Sequence, residues 1–178
     1  DTMKKYLLTA ILLIFMLIPA NAEVFQGGVA YDENSARNEV MDGISYTIDS
    51  SYINGYAYDG EHDQNVGFML NGMTELKDRT LAYFSDNTYA VLKKAEPRIV
   101  RYYDSNGILT YVEKKSGTSY PYKTYKYNTS GKLVNMTLRV SKAETFIYDK
   151  NGKLIAHWLY DKAYDSEGNV VMKRKYVE

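Results

Sequence analysis

The sequence lacks cysteine altogether and contains three prolines, two histidines and one tryptophan among its 178 residues. Without cysteine the chain can form no disulfide bond, so its fold must be held by its core. The thioether-linked lipid anchor of bacterial lipoproteins is excluded for the same reason. We therefore expect a cysteine-free domain that is stabilised by packing alone.

Metal ligands are equally scarce. A zinc site takes three or four His, Cys or carboxylate ligands at close spacing, whereas His62 and His157 lie far apart in the sequence. Residues 59–65 begin with acidic residues at alternate positions, as in a calcium-binding EF-hand loop. That loop also needs glycine at its sixth position and glutamate at its twelfth, which here are Gln64 and Leu70. We expect a solvated polar loop, no metal site and no cofactor.

The formal net charge is zero, with 22 basic and 22 acidic side chains. Nucleic-acid binding needs a concentrated positive field, so we expect no nucleic-acid partner. The sequence also contains no Gly-x-Ser-x-Gly elbow and no glycine-rich phosphate loop before a helix. A carboxylate pair for hydrolysis of an envelope polysaccharide could be drawn from Glu61, Asp63 and Glu75, but such pairs arise by chance among 22 acidic residues. We expect no catalytic residues, with a hydrolase as the alternative.

Residues 1–22 have the pattern of a secretory signal peptide. Two lysines follow the expected initiator Met3, residues 6–18 are mostly apolar, and residues 20–22 read Ala-Asn-Ala, a signal-peptidase pattern. An apolar helix of this length spans about 20 Å, short of the roughly 30 Å hydrocarbon core of a bilayer. We expect cleavage after Ala22 and a secreted, periplasmic or cell-surface bacterial protein without stable membrane insertion.

Residues 23–96 are predicted to be a β-rich N-terminal part with one short helix. The helix is expected at about residues 32–42, because Asp32 can cap its start and Gly43 stands where a C-terminal cap belongs. Apolar residues one turn apart would give it a narrow stripe to lay on a sheet. We expect it to be the only helix of the mature chain.

Tight hairpins are predicted in the rest of this part. The Asn-Gly pairs at residues 54–55 and 71–72 each separate two short apolar segments, and Asn-Gly suits a two-residue hairpin because both residues tolerate positive φ. Residues 81–84 and 89–92 flank a polar turn and predict a further hairpin. Pro97 marks the start of a more regular pattern.

Residues 97–178, in the same domain, repeat one pattern four times, with Tyr-Asp-x-x-Gly-x-Leu as its typical form. The four copies are residues 103–109, 127–133, 148–154 and 164–170. Glycine in the left-handed conformation would close a three-residue turn with a bulge. The tyrosine then faces the final Leu or Val across the hairpin, a pair worth about 0.2–1 kcal/mol beyond burial. We predict a mainly β fold, an antiparallel meander of successive hairpins forming a single twisted sheet or an open barrel.

The pattern resembles the YD repeat of bacterial rearrangement-hotspot and teneurin-type shell proteins, and is distantly similar to variant MORN repeats of secreted bacterial proteins. The resemblance covers residues 98–176, whereas residues 23–96 resemble no family. YD-repeat proteins wrap many copies into a shell around cargo, and four uneven copies are too few for that. The resemblance implies a β-sheet scaffold in a secreted or surface setting and supplies no catalytic residue.

Aromatic side chains are the best candidates for binding. The chain has 19 tyrosines, and rings on a partly exposed sheet can stack on sugars or clamp a peptide strand. Trp158, Tyr160 and Tyr164 form the densest group that includes the tryptophan, with sheet packing as the alternative interpretation. We expect a secreted, non-catalytic β-repeat protein that binds a glycan or protein partner or has a structural role in the envelope or extracellular space. A further alternative is an effector- or assembly-associated scaffold.

If residues 3–22 form a signal peptide, the exported protein should begin at Glu23. Expression from Met3 in a Gram-negative host, periplasmic extraction, intact-mass measurement and N-terminal sequencing check this. Ala22→Leu fills the small-residue position and should leave the leader attached. Recovery of the wild-type protein with its leader intact would contradict the prediction.

Overall fold

A computed structural model describes residues 31–68 and 72–174. In these residues eleven strands form one antiparallel sheet, and each strand pairs with the next along the chain. The strands are β1 Met73–Glu75, β2 Arg79–Tyr83, β3 Tyr89–Lys93, β4 Ile99–Tyr103, β5 Leu109–Lys115, β6 Tyr122–Asn128, β7 Leu133–Arg139, β8 Glu144–Asp149, β9 Leu154–Leu159, β10 Lys162–Tyr164 and β11 Val170–Lys173. The sheet is not closed, and β1 and β11 are its edges. The predicted antiparallel meander is confirmed.

The four repeats form their hairpins in the predicted register. The opposed pairs are Tyr103 with Leu109, Tyr127 with Leu133, Tyr148 with Leu154, and Tyr164 with Val170. The four turn glycines all have positive φ, between +75° and +81°. In the first turn Asp104 Oδ1 accepts the amide hydrogens of Asn106 and Ile108, each at 2.9 Å. The acidic or amide residue after each tyrosine therefore forms the turn, as expected, and the hairpin predicted at residues 81–92 is present as β2 and β3.

The predicted helix is confirmed as α1, Glu33–Met41. Asp32 caps it: its Oδ1 accepts the Ser35 amide hydrogen at 2.7 Å, and the Ser35 hydroxyl oxygen accepts the Asp32 amide hydrogen at 2.9 Å. Ala36 and Val40 are fully buried against the sheet. The narrow apolar stripe read from the sequence is the contact surface of this helix.

The two Asn-Gly hairpins were wrongly predicted. Residues 50–52 form a 3-10 helix, and α2, His62–Phe68, occupies part of both the expected polar loop and the second hairpin. The expectation of a single helix is therefore wrong as well. Gly55 and Gly72 do adopt positive φ, +85° and +88°. Only the glycine of each pair is confirmed in this conformation, and the segment after each turn pairs with the sheet: Leu109 N donates to Ala57 O, and Met73–Glu75 pairs with β2. Residues 69–71 lie outside the described residues.

Residues 31–68, here called the arm, cross one face of the sheet, here called the arm face. Tyrosine hydroxyls of the sheet donate hydrogen bonds to arm carbonyls. These bonds are Tyr148 to Glu33 O at 2.7 Å, Tyr125 to Val40 O at 2.9 Å, and Tyr127 to Ser45 O at 3.0 Å. The described first part of the predicted β-rich region is therefore a cover for the sheet, and β1–β3 are the strands among the described residues of that region.

The arm also forms the same pair of backbone hydrogen bonds with the turns of the first two repeats. The bonds are Asp59 N to Gly107 O at 2.8 Å, Leu109 N to Ala57 O at 2.9 Å, Ile48 N to Gly131 O at 2.9 Å, and Leu133 N to Tyr46 O at 2.9 Å. The two contact points lie eleven residues apart in the arm. At the third repeat the Arg37 side chain replaces the backbone, because α1 lies there, and its Nε donates to Gly152 O at 2.9 Å.

Alanine at Gly107 should destabilise the fold more than alanine at Gly168. Both glycines have positive φ, +77° and +81°, so either change costs roughly 1–2 kcal/mol of backbone strain. At Gly107 a Cβ would also lie 2.9 Å from the His62 ring, whereas nothing lies within 4 Å at Gly168. Crowding of this kind adds about 1–3 kcal/mol.

Urea unfolding of Gly107→Ala and Gly168→Ala measures the difference directly. Equal losses of unfolding free energy would mean that the His62 ring moves aside without cost and does not hold its place against the turn.

Candidate functional site

A group of charged side chains lies on the face opposite the arm, here called the second face. Successive residues of a strand alternate between faces. Tyr125 and Tyr127 pack with the arm, so Lys126 between them belongs to the second face. Helix α1 packs on the arm face, with Tyr125 and Tyr127.

Three neighbouring strands bring six polar residues together, here called the polar cluster. The cluster consists of Glu113 and Lys115 on β5, Thr124 and Lys126 on β6, and Thr137 and Arg139 on β7. Register fixes its centre: Thr124 pairs with Lys115 on one side and with Thr137 on the other. Lys126 pairs with Glu113. All six side chains are buried, at most 4 % exposed.

Burial controls the ionisation of this cluster. Desolvation lowers the pKa of Lys126 to about 8, although the nearby Glu113 carboxylate favours the ammonium form. Burial lowers the pKa of Lys115 in the same way. Burial raises the pKa of Glu113, and the three cations of the cluster oppose that rise. The register places all three cations on the same face as Glu113.

Lys126 has aromatic neighbours but no hydrogen bond. Its Nζ lies 3.8 Å from the centre of the Tyr102 ring and 5.0 Å from that of Tyr111, which favours a cation. Among the described residues neither Lys126 Nζ nor Thr137 Oγ1 has a hydrogen-bond partner. Glu113 accepts the Tyr102 hydroxyl hydrogen at 3.1 Å through Oε2, while its Oε1 has no such partner in the same residues. Buried donors in this state are able to bind a ligand.

The predicted aromatic binding residues are not brought together. Trp158 is fully buried on the second face beside Ala163, with which it pairs. Tyr164 pairs with His157 and so lies on the arm face. Tyr160 is in the turn between β9 and β10 and is 56 % exposed. The three rings therefore lie in separate environments and form no common aromatic surface.

The fourth repeat is the part of the arm face that the arm leaves open. The aliphatic residue of the Tyr–Leu pair is 4 %, 5 % and 8 % exposed in the first three repeats, but Val170 in the fourth is 46 % exposed. Leu159 on the neighbouring β9 is also exposed. The fourth-repeat surface, as it is called here, consists of Leu159, Tyr164, Gly168 and Val170.

Two of the three acidic candidates for hydrolysis, Glu61 and Glu75, form ion pairs, whereas Asp63 lies in the first turn of α2. Glu61 forms an ion pair with Arg79, and Glu75 Oε1 lies 2.9 Å from Lys94 Nζ. Asp59, the first residue of the calcium-like pattern, is buried and accepts the Tyr89 hydroxyl hydrogen at 2.7 Å. In residues 31–68 and 72–174 no group of three His, Cys, Asp or Glu side chains is placed to hold a metal ion.

No protein-family model matches the chain, and no curated protein matches its sequence. The resemblance to YD repeats therefore stays a prediction. Within the part of the chain that the structure describes, no helix is long and apolar enough to cross a membrane.

Between pH 8 and 9.5 the unfolding free energy should rise, and Lys126→Met should reduce that rise. The folded protein loses the Lys126 proton near pH 8, whereas the unfolded chain keeps it until about 10.5, so the unfolded state binds more protons in this window. The contribution is about 1–2 kcal/mol. Lys115 adds in the same direction and remains in the variant. Above this window the raised pKa values of buried tyrosines act in the opposite direction.

Urea unfolding at several pH values measures this slope. Lys123→Met is the matched control, because Lys123 lies on the same strand but binds Glu39 O on the arm face. An unchanged slope in Lys126→Met would show that Lys126 does not titrate in this window.

Proposed function

We propose that this chain is a secreted, non-catalytic binding module whose fourth-repeat surface binds an extended segment of a partner protein. The observation that carries the proposal is the contrast between repeats. The arm docks on the first two turns through the glycine carbonyl and the amide of the aliphatic residue. The fourth repeat has the same turn, with an exposed aliphatic residue and no arm contact among the described residues.

The equivalence of the turns favours a peptide over a sugar as the ligand. Gly168 has φ +81°, close to the +77° of Gly107, and Tyr164 faces Val170 as Tyr103 faces Leu109. A segment that binds here can therefore use the same acceptor and donor that the arm uses elsewhere. Recognition through main-chain hydrogen bonds with side-chain contacts beside them is a common mode of peptide binding.

The charges beside this surface favour an acidic segment. Lys162 pairs with Lys173, and Lys162 also pairs with Leu159, so both lysines lie on the arm face next to the exposed aliphatic residues. A partner segment with one apolar residue flanked by Asp or Glu would match both features. The signal-like residues 1–22 support a place for this interaction outside the cytoplasm.

Docking of partner segments also agrees with the alternative of an assembly-associated scaffold in the envelope or extracellular space. The polysaccharide-hydrolase alternative has less support, because Glu61 and Glu75 each pair with a different cation, Arg79 and Lys94. Such an enzyme needs two carboxyl groups that face one glycosidic bond.

A synthetic peptide copied from residues 44–50 tests the proposal, because this segment already contacts the turn of the second repeat. Titrated into ¹⁵N-labelled protein, it should shift the amide signals of Gly168 and Val170 with a dissociation constant of about 1 mM or below. Val170→Asp places a charge on the apolar contact and should weaken binding at least about fivefold.

A peptide of the same composition in scrambled order is the control for non-specific contact. Lack of shifts at Gly168 and Val170 with the copied peptide, or equal shifts with the scrambled one, would contradict the proposal.

A further inference from the structure

We propose that the polar cluster of the second face is a binding site for a small oxyanion of the phosphate type, held by Lys126, Thr137, Lys115 and Arg139. This site is separate from the fourth-repeat surface, because it lies on the opposite face of the sheet and is built on β5, β6 and β7.

The first support is the placement of the donors around Thr124. Lys115 and Thr137 are its partners on the two neighbouring strands, and Lys126 follows two positions later on its own strand. Paired residues of neighbouring strands lie about 5 Å apart and residues two positions apart about 7 Å. Arg139 lies two positions beyond Thr137 on the same face of β7. A tetrahedral anion above Thr124 is therefore within reach of donors from three strands.

The second support is the state of Lys126 and Thr137. Both are 1 % exposed, and neither Lys126 Nζ nor Thr137 Oγ1 has a hydrogen-bond partner among the described residues. An ammonium group that is buried without hydrogen bonds is strongly disfavoured. One oxyanion accepts a hydrogen bond from both groups at once, because Lys126 and Thr137 occupy diagonal positions on adjacent strands.

The third support is the sign of the charges. The cluster contains three basic side chains and one carboxyl, Glu113. The burial that raises the Glu113 pKa favours its protonated form, which donates a hydrogen bond to an anion instead of repelling it. The cluster therefore attracts an anion most strongly when Lys126 is charged and Glu113 is neutral.

The affinity should fall as pH rises through about 8, where Lys126 loses its proton. The ionisable and charged groups that face Lys126 are Tyr102 on β4, Tyr111, Glu113 and Lys115 on β5, and Arg139 on β7. Burial and the neighbouring Glu113 hold the Tyr102 pKa well above its usual value, so this hydroxyl does not titrate in that range. Ionisation of Glu113 acts in the same direction as deprotonation of Lys126, since it adds repulsion.

Inorganic phosphate is the probe. At pH 6.5 the melting temperature of the protein should be about 5 °C higher in about 50 mM phosphate than in sodium chloride of equal ionic strength. Isothermal titration with phosphate should give an affinity that Lys126→Met lowers at least about tenfold. Lys114→Met is the matched control, because Lys114 lies beside Tyr52 on the arm face of β5, the strand next to that of Lys126. It should leave the affinity unchanged.

Thr137→Val keeps the test decisive if Lys126→Met fails to fold, since it removes only the hydroxyl donor and should lower the affinity several-fold. If acetate displaces phosphate in a competition titration, the site is supported and its ligand is a carboxylate. Equal stabilisation by phosphate and chloride, or unchanged phosphate affinity in both Lys126→Met and Thr137→Val, would overturn the proposal.

Discussion

The contact between a tyrosine ring and the aliphatic residue across its glycine turn is the interaction on which the rest of the structure depends. It sets the register of each repeat hairpin, and that register decides which residues reach which face. A slip of one residue would carry Lys126 to the arm face and bring Tyr125 into the polar cluster. The positive φ of the turn glycine keeps the ring and the aliphatic residue opposed.

The hydroxyl group explains why these rings are tyrosine rather than phenylalanine. Tyr127 and Tyr148 each pack against a leucine across the hairpin and donate a hydrogen bond to a carbonyl of the arm. One side chain therefore stabilises both the hairpin and its cover. Burial raises the pKa of Tyr127, which keeps its hydroxyl protonated as a donor. A sheet with few helices is covered in this way by an irregular segment instead of a second layer.

Much of the fold could be predicted from the sequence, because its main determinants are local. The turn glycines, the Tyr–Leu pairs and the capping residue Asp32 each act within a few positions, and all three predictions agree with the structure. The arm could not be predicted. Its Asn-Gly pair at residues 54–55 has the sequence of a hairpin turn, but the hydrogen-bond partners of the arm include Gly107 and Gly131, far away in the sequence.

The polar cluster was missed for a related reason. Lysines occur at both odd and even positions of β5 and β6. Only the register decides that Lys126 lies on the second face and Lys123 on the arm face. The predicted hairpins already imply this register. Because Tyr127 faces Leu133 on the arm face, the preceding Lys126 lies on the second face. Burial of the cluster, however, depends on the whole sheet. The exposed fourth repeat also resembles the other three in sequence, and only the path of the arm distinguishes it.

The spacing of the contact points along the arm restricts how such a protein can change in length. The segments that meet the first two turns lie eleven residues apart in the arm, and the later turn is met by the earlier segment, so a new hairpin placed among the covered copies would require a matching extension of the arm. Hairpins added after β11 need no such extension, because that edge carries no cover within the described residues. Further hairpins at the carboxyl-terminal edge would therefore lengthen the sheet without lengthening the arm.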